Sequence, residues 1–177
     1  MGKRDSGLSF RLMSLMFRFR DLVRPRLEIL KEVGIEPGFS VLDFGCGPGG
    51  YISPLAGLIG PSGSIYALDV NPLAIKSVQS LARKKKLDNV TTIQADCATG
   101  LPDSSVDIAL LYDVFHHLSQ PRDVLAELYR ILKKGGVISV SDHHLTEDKI
   151  ISGITGTGLF RLVKKGQKVH NFSPLKE

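Results

Sequence analysis

From residue 40 onward the chain alternates short apolar runs with longer amphipathic stretches, and this alternation restricts its fold more than any other feature. "SVLDF" (Ser40–Phe44) gives way to a glycine-rich turn and "YISPLAGLIG", and "SIYALDV" precedes "NPLAIKSVQSLARKKKL". "NVTTIQAD" then leads through the loop "ATGLPDSS" into "VDIALLYDV", and "PRDVLAELYRILKKGG" is followed by "VISVSDHH". Strands separated by helical segments predict a parallel sheet with right-handed crossovers, an α/β sandwich. Near the end, "LFRLVKK" and "KVHNFSPL" flank Gly166-Gln167 and read as a closing antiparallel hairpin. Just before it, "TEDKIISGITGTG" reads as a short helix broken by glycine.

Several boundaries carry local signals. Asn71-Pro72 reads as a helix start, with the amide side chain at the cap and proline in the first turn. Pro121 repeats that logic, and Val124, Leu125, Leu128, Ile131 and Leu132 then fall on one stripe. Lys133, Lys134 and Gly135-Gly136 read as the end of that helix, where its dipole favours cations. The lysines before Leu87 fit the same pattern.

The first 39 residues stand apart. Leu12, Leu15, Met16, Phe19 and Val23 recur at helical spacing with arginines largely off the stripe, Pro25 ends or kinks that helix, and "RPRLEILKEVGI" starts another. Residues 1–177 are thus read as one domain, with 1–39 an N-terminal helical segment and candidate substrate lid, and 40–177 the core. A chain of 177 residues suits a single domain with a full hydrophobic core. No apolar run approaches the roughly 20 residues that span a bilayer. The start lacks the pattern of a secretory signal, although "MGKRDS" matches the short myristoylation pattern. The expected location is the cytoplasm. Two cysteines, Cys46 and Cys97, without a C-x-x-C pair give no support to a zinc ribbon or a disulfide framework. The net charge of +5 gathers near the N-terminus and in "RKKK", which reads as a solvated basic face.

The loop "VLDFGCGPGG" carries the chemistry. Gly45, Gly47 and Gly50 satisfy a G-x-G-x-x-G dinucleotide spacing, while Asp43 with Gly45, Gly47 and Gly49 satisfies D-x-G-x-G-x-G. Glycines let the backbone turn sharply and let a ligand approach, and the next helix offers unpaired N–H groups. Asp69 sits where a ribose-binding acid belongs in either case. The glycines and Asp69 alone do not separate a dinucleotide from another nucleoside cofactor. Asp43 points to the second, because its carboxylate would repel a pyrophosphate yet suits an amino group and a sulfonium cation. Asp96 closes the third strand as a further acid.

Together, "VLDFGCGPGG", "IYALDVNP", "ADCATGLPDSSVDIALLYDVFHHL" and "LAELYRILKKGGVISVSD" resemble the motifs of the class I S-adenosylmethionine-dependent methyltransferases, from about Val41 through His144. Within that family the chain is most similar to the small-molecule branch of ubiquinone/menaquinone-biosynthesis and arsenite enzymes. The resemblance implies a Rossmann-like three-layer sandwich with a seven-stranded, mostly parallel sheet of order 3-2-1-4-5-7-6, the last strand antiparallel. It implies S-adenosylmethionine as cofactor and S-adenosylhomocysteine as product. Gly45, Cys46, Gly47 and Gly49 would form the turn around the methionine and ribose portions, with Asp43 at the amino-acid end. Asp69 would hold the ribose hydroxyls, Val70 the adenine face, and Asp96 and the Cys97 amide the adenine edge. Tyr112 and Asp113 would border the methyl group.

The expected partner is a small-molecule methyl acceptor. The [DNS]-P-P-[YFW] signature of amino-group nucleic-acid methyltransferases is replaced by "YDVF", and an arsenite enzyme should bring further cysteines to grip a soft metalloid. Candidate general bases are Asp113, His116, His117 and His143, with His144 beside them, because "FHHL" and "SDHH" follow adjacent strands. No third ligand accompanies either histidine pair, so no metal is expected. Two alternatives stay open at this point: a non-catalytic binder of S-adenosylmethionine and a nicotinamide oxidoreductase. Oligomeric state is open as well.

Overall fold

A computed structural model describes residues 26–176. The amphipathic stripe from Leu12 to Val23, the lid assigned to it, and Pro25 lie outside the described residues. The chain runs α1 (Arg26–Lys31), β1 (Ser40–Phe44), α2 (Ile52–Ile59), β2 (Ser64–Asp69), α3 (Pro72–Lys85), β3 (Val90–Gln94) and β4 (Val106–Tyr112). A single 3-10 turn (Phe115–His117) leads into α4 (Pro121–Ile131), β5 (Leu132–Ser141), α5 (Glu147–Thr155), β6 (Phe160–Lys165) and β7 (His170–Pro174).

The strands form one sheet in the order β3-β2-β1-β4-β5-β7-β6. Pairing is parallel from β3 through β5, and β7 runs antiparallel to both β5 and β6. This is the Rossmann-like topology expected from the resemblance.

Period-two alternation divides the core between the two faces. In β4, Ile108, Leu110 and Tyr112 join Leu30, Ile52, Leu55, Ile59 and Val78 of α1, α2 and α3. Their neighbours Ala109 and Leu111 join Val124, Leu125, Leu128 and Ile131 of α4, and Ile150 and Ile154 of α5. A strand covered on both faces must be apolar throughout, which is why "VDIALLY" reads as an almost unbroken run.

The helix starts behave as the sequence predicts. The Asn71 side chain accepts a hydrogen bond from the Leu73 amide at 2.9 Å, and Pro72 opens α3. Pro121 opens α4 in the same way. The end of α4 differs from expectation. The helix stops at Ile131, and Lys133 and Lys134 belong to β5 rather than to a helix terminus. The register jumps from Val106 opposite Leu132 to Ile108 opposite Val137, and "KKGG" fills the gap. Lys133 Nζ donates to both oxygens of Asp107 at 2.8 Å, and Asp107 Oδ2 also accepts the Ser40 amide at 2.8 Å. A specific carboxylate therefore outweighs the diffuse helix dipole as the partner of that lysine.

Among the described residues, no helix is long and apolar enough to cross a membrane. Leu110 is fully buried in the central strand. Leu110→Ala should therefore cost about 2–5 kcal/mol of stability, read as a lower urea midpoint at unchanged slope.

Candidate active site

The strand order reverses between β1 and β4, and the carboxyl ends of these strands, with those of β2 and β5, surround one cavity of about 950 Å³. A crevice at that position follows from the topology, because crossovers leave in opposite directions there.

The glycine turn forms its floor. The amides of Gly45 and Cys46 both donate to the Leu68 carbonyl at the end of β2, at 2.8 and 2.9 Å. Gly45 has φ +76°, and a Cβ there would come within 2.6 Å of Val114 Cγ2. Gly47 also has positive φ, but a Cβ there would meet nothing within 4 Å, so its backbone stands bare against the cavity. Its amide donates to Asp69 Oδ2 at 2.8 Å, while Asp69 Oδ1 accepts the Asn71 amide at 2.8 Å. The Asp69 carboxylate is thus oriented by two amides and keeps lone pairs for a ligand.

Asp43 is buried at the end of β1, and its Oδ2 has no hydrogen-bond partner among the described residues. Burial pushes its carboxyl from an ordinary 3.8 up to about 7; Arg26 opposes the rise and Asp69 adds to it. Arg26 lines the same cavity and lies 4.6 Å over the Tyr51 ring. Burial also raises the Cys46 thiol, so that side chain is a packing group and not a thiolate.

On the far side, Asp96 and Cys97 follow β3, and Val70, which is 61% exposed, follows β2. The loop after Cys97 is pinned by Glu127, which accepts the Thr99 amide at 2.9 Å and its hydroxyl at 2.5 Å. The Arg130 hydrogen bond holds the Glu127 carboxyl down at about 2, against the effect of burial.

The ends of β4 and β5 form the remaining wall. Tyr112 shares a buried 2.9 Å hydrogen bond with Ser139, and its ring meets the Tyr51 ring edge-on with centroids 5.0 Å apart. Asp113 adopts φ +55°, a left-handed conformation that Asp tolerates better than most residues. Its Oδ1 pairs with His143 Nδ1 at 2.5 Å. Asp142 Oδ2 pairs with His116 Nδ1 at 2.7 Å and also accepts the His116 amide at 3.0 Å, while Oδ1 accepts the His144 amide at 3.0 Å. The four imidazoles follow one another in the order His117, His116, His144, His143, with successive centroids 3.9, 4.3 and 4.1 Å apart and planes tilted by 41°, 47° and 39°. No group of three or more ligating side chains converges on a metal position among the described residues.

Of the residues singled out in the sequence, Asp43, Gly45, Cys46, Gly47, Asp69, Val70, Asp96, Cys97, Tyr112, Asp113, His116, His117 and His143 all line this cavity. Gly49 does not. It has φ +87°, and a Cβ there would come within 2.9 Å of Val78 Cγ2, so it lets α3 approach the turn. Gly50 accommodates the Arg26 guanidinium, which a Cβ would overlap. Sequence reasoning missed Arg26, Tyr51 and Asp142. Asp142 did carry a signal, as an acid directly before a histidine pair at a strand end; Arg26 lies outside every motif and carried none.

A family model described as a methyltransferase domain matches residues 35–172. The chain belongs to the class I S-adenosylmethionine-dependent methyltransferases. It is similar to the demethylmenaquinone methyltransferase of Geobacillus sp. (strain WCH70), with 27% identity over 127 residues, covering 71% of this chain and 54% of that protein. It is also similar to a 37.1 kDa protein of a Streptomyces fradiae transposon, with 29% identity over 155 residues, 76% of this chain and 44% of that one. The chain thus spans about half the length of these relatives. Among solved structures, a SAM-dependent methyltransferase from Aquifex aeolicus superposes with a TM-score of 0.73 at 26% identity, covering 83% of this chain and 87% of that one.

S-adenosylmethionine is the cofactor of this methyltransferase family member. The donor set fits it: a bare glycine backbone, a pre-oriented Asp69, and an orphaned Asp43 oxygen beside Arg26 suit a ribose and a zwitterionic amino-acid end.

Asp43 also yields a pH prediction for the free protein. In the unfolded chain it ionises above about pH 4, whereas the folded protein keeps the proton up to about pH 7. Its contribution to stability is therefore full below about pH 4 and is lost as pH rises through about 7. Urea midpoints measured from about pH 5 to about pH 8 should fall with pH more steeply in the wild type than in Asp43→Asn, which cannot ionise.

Proposed function

We propose that the protein transfers the methyl group of S-adenosylmethionine to a small molecule held in the outer part of the same cavity. The observation that carries this reading is that one space joins the strand-end acids Asp43, Asp69 and Asp96 to the histidines after β4 and β5. At about 950 Å³ it stands near the upper end of ordinary ligand pockets, about 300–1,000 Å³, which leaves room for an acceptor beside a nucleoside.

When bound, the cofactor supplies an electrophilic methyl on a sulfonium whose charge disperses during an in-line displacement. The protein supplies position. Asp69 takes the ribose hydroxyls, Val70 lies against adenine, and Asp96 with the Cys97 amide takes the adenine edge. Gly45, Cys46 and Gly47 cradle the ribose and methionine portions. Arg26 would meet the carboxylate, and the ammonium group beside the buried Asp43 would favour the ionised form of that carboxyl, so that each end of the amino acid faces an opposite charge. Tyr112 and Asp113 border the methyl, between the donor and the histidine column.

Calorimetry tests the donor assignments. Asp69→Ala should weaken S-adenosylmethionine binding at least tenfold, about 1.4 kcal/mol. Wild-type affinity in that variant refutes the ribose role. Heat from NAD with none from S-adenosylmethionine or S-adenosylhomocysteine overturns the function itself.

A further inference from the structure

Asp142 does not line the cavity, and its side chain is fully shielded from solvent behind His116. It directly follows β5 and ties together two loops, through the amides of His116 after β4 and His144 after β5. Despite burial, which favours its neutral form, these hydrogen bonds and the His116 ring hold its carboxyl below the ordinary range. An ionised carboxylate only accepts hydrogen bonds. The 2.7 Å contact to His116 Nδ1 therefore requires the proton on Nδ1, and the neutral ring presents an unprotonated Nε2. Nε2 has no protein partner among the described residues.

We propose that His116 is the general base of this site, that Asp142 is its positioning residue, and that the acceptor is a planar compound methylated at a phenolic or enolic hydroxyl. This rests on the methyl-transfer reading above. As the bond from the acceptor oxygen to the methyl carbon forms, the carbon–sulfur bond breaks with its electron pair left on sulfur, and the hydroxyl proton passes to His116 Nε2. Charge balances, because the sulfonium becomes a neutral thioether and the imidazole becomes an imidazolium beside Asp142.

The surroundings of His116 narrow the acceptor. His117 on its own turn and His144 after β5 lie against it, tilted by 41° and 47°, and beyond His144 stand His143 and Asp113. Four imidazoles, with Tyr112 and Tyr51, thus line one cavity, and an aromatic lining suits an aromatic partner. Imidazole is a base matched to a weakly acidic hydroxyl, whereas a thiol needs little help to ionise. The second pair, His143 with Asp113, is a weaker candidate, because the His143 side chain is 57% exposed and water competes for it, against 16% for His116.

Two measurements test this. Long-range proton–nitrogen correlation spectra of the labelled full chain should show His116 in the Nδ1–H tautomer, and Asp142→Asn should populate the other tautomer. Methyl transfer from S-adenosylmethionine to catechol, 1,4-dihydroxynaphthalene and 2-mercaptoethanol should favour the two hydroxyl probes. Asp142→Asn and His116→Gln should each lower kcat at least about a hundredfold, with KM changed only a few-fold. The acid limb of the wild-type pH profile should be lost in His116→Gln. S-adenosylhomocysteine binding should survive in both variants, which also establishes that they fold. An unchanged tautomer in Asp142→Asn, an unchanged kcat in folded His116→Gln, or transfer to the thiol alone overturns the proposal. Cofactor binding without transfer to either hydroxyl probe overturns the acceptor class, whereas absence of cofactor binding by the wild type overturns the proposed function and leaves the tautomer measurement to decide the dyad.

Discussion

Two amides on one carbonyl hold this site together. Gly45 and Cys46 both donate to Leu68 O, and Asp69, next in the chain, accepts back from Gly47. The turn after β1 is thereby fastened to the end of β2 just where the parallel ladder stops. Without that fastening the glycine loop would be one conformer among many, since glycines order at a high entropic cost. With it, the bare backbone of Gly47 and the carboxylate of Asp69 keep a fixed relation to each other. The loop and the acid are parts of one rigid corner, and the other walls are placed relative to it by the sheet.

The opposite wall uses a different device. Few regular backbone hydrogen bonds join the segments after β4 and β5, so side chains do the joining: Asp142 to His116 and His144, and Asp113 to His143. One half of the cavity is thus set by backbone geometry and the other by side-chain carboxylates. The glycine-turn side leans on main chain, which varies little with side-chain identity. The histidine side is joined by side chains, which can change without disturbing the fold.

The sheet and most of the cavity lining were legible in the sequence. Alternating apolar and amphipathic runs predicted the parallel sheet, because a strand buried on both faces and a helix buried on one leave different periodicities. The strand-end acids were readable because strand ends are where such sheets bind ligands. The failures have physical causes. Gly49 matched a binding motif, yet its glycine serves the packing of Val78 against the turn. Lys133 matched a helix end, yet Asp107 claims it across the sheet. Asp142 was passed over in favour of its two histidine neighbours: its place before them at a strand end was visible, but the turn of its side chain onto His116 is set by tertiary packing. Arg26 enters the cavity only through tertiary packing of α1.

That packing gives Gly50 a significance unrelated to its place in any motif. The Arg26 guanidinium fills the space a side chain at 50 would occupy, and the same guanidinium opposes the loss of charge on Asp43. A methyl group at position 50 would therefore act at a distance as a change of charge. By displacing a cation it would leave the buried carboxyl of the cavity more firmly protonated, though neither ionisable residue had been altered.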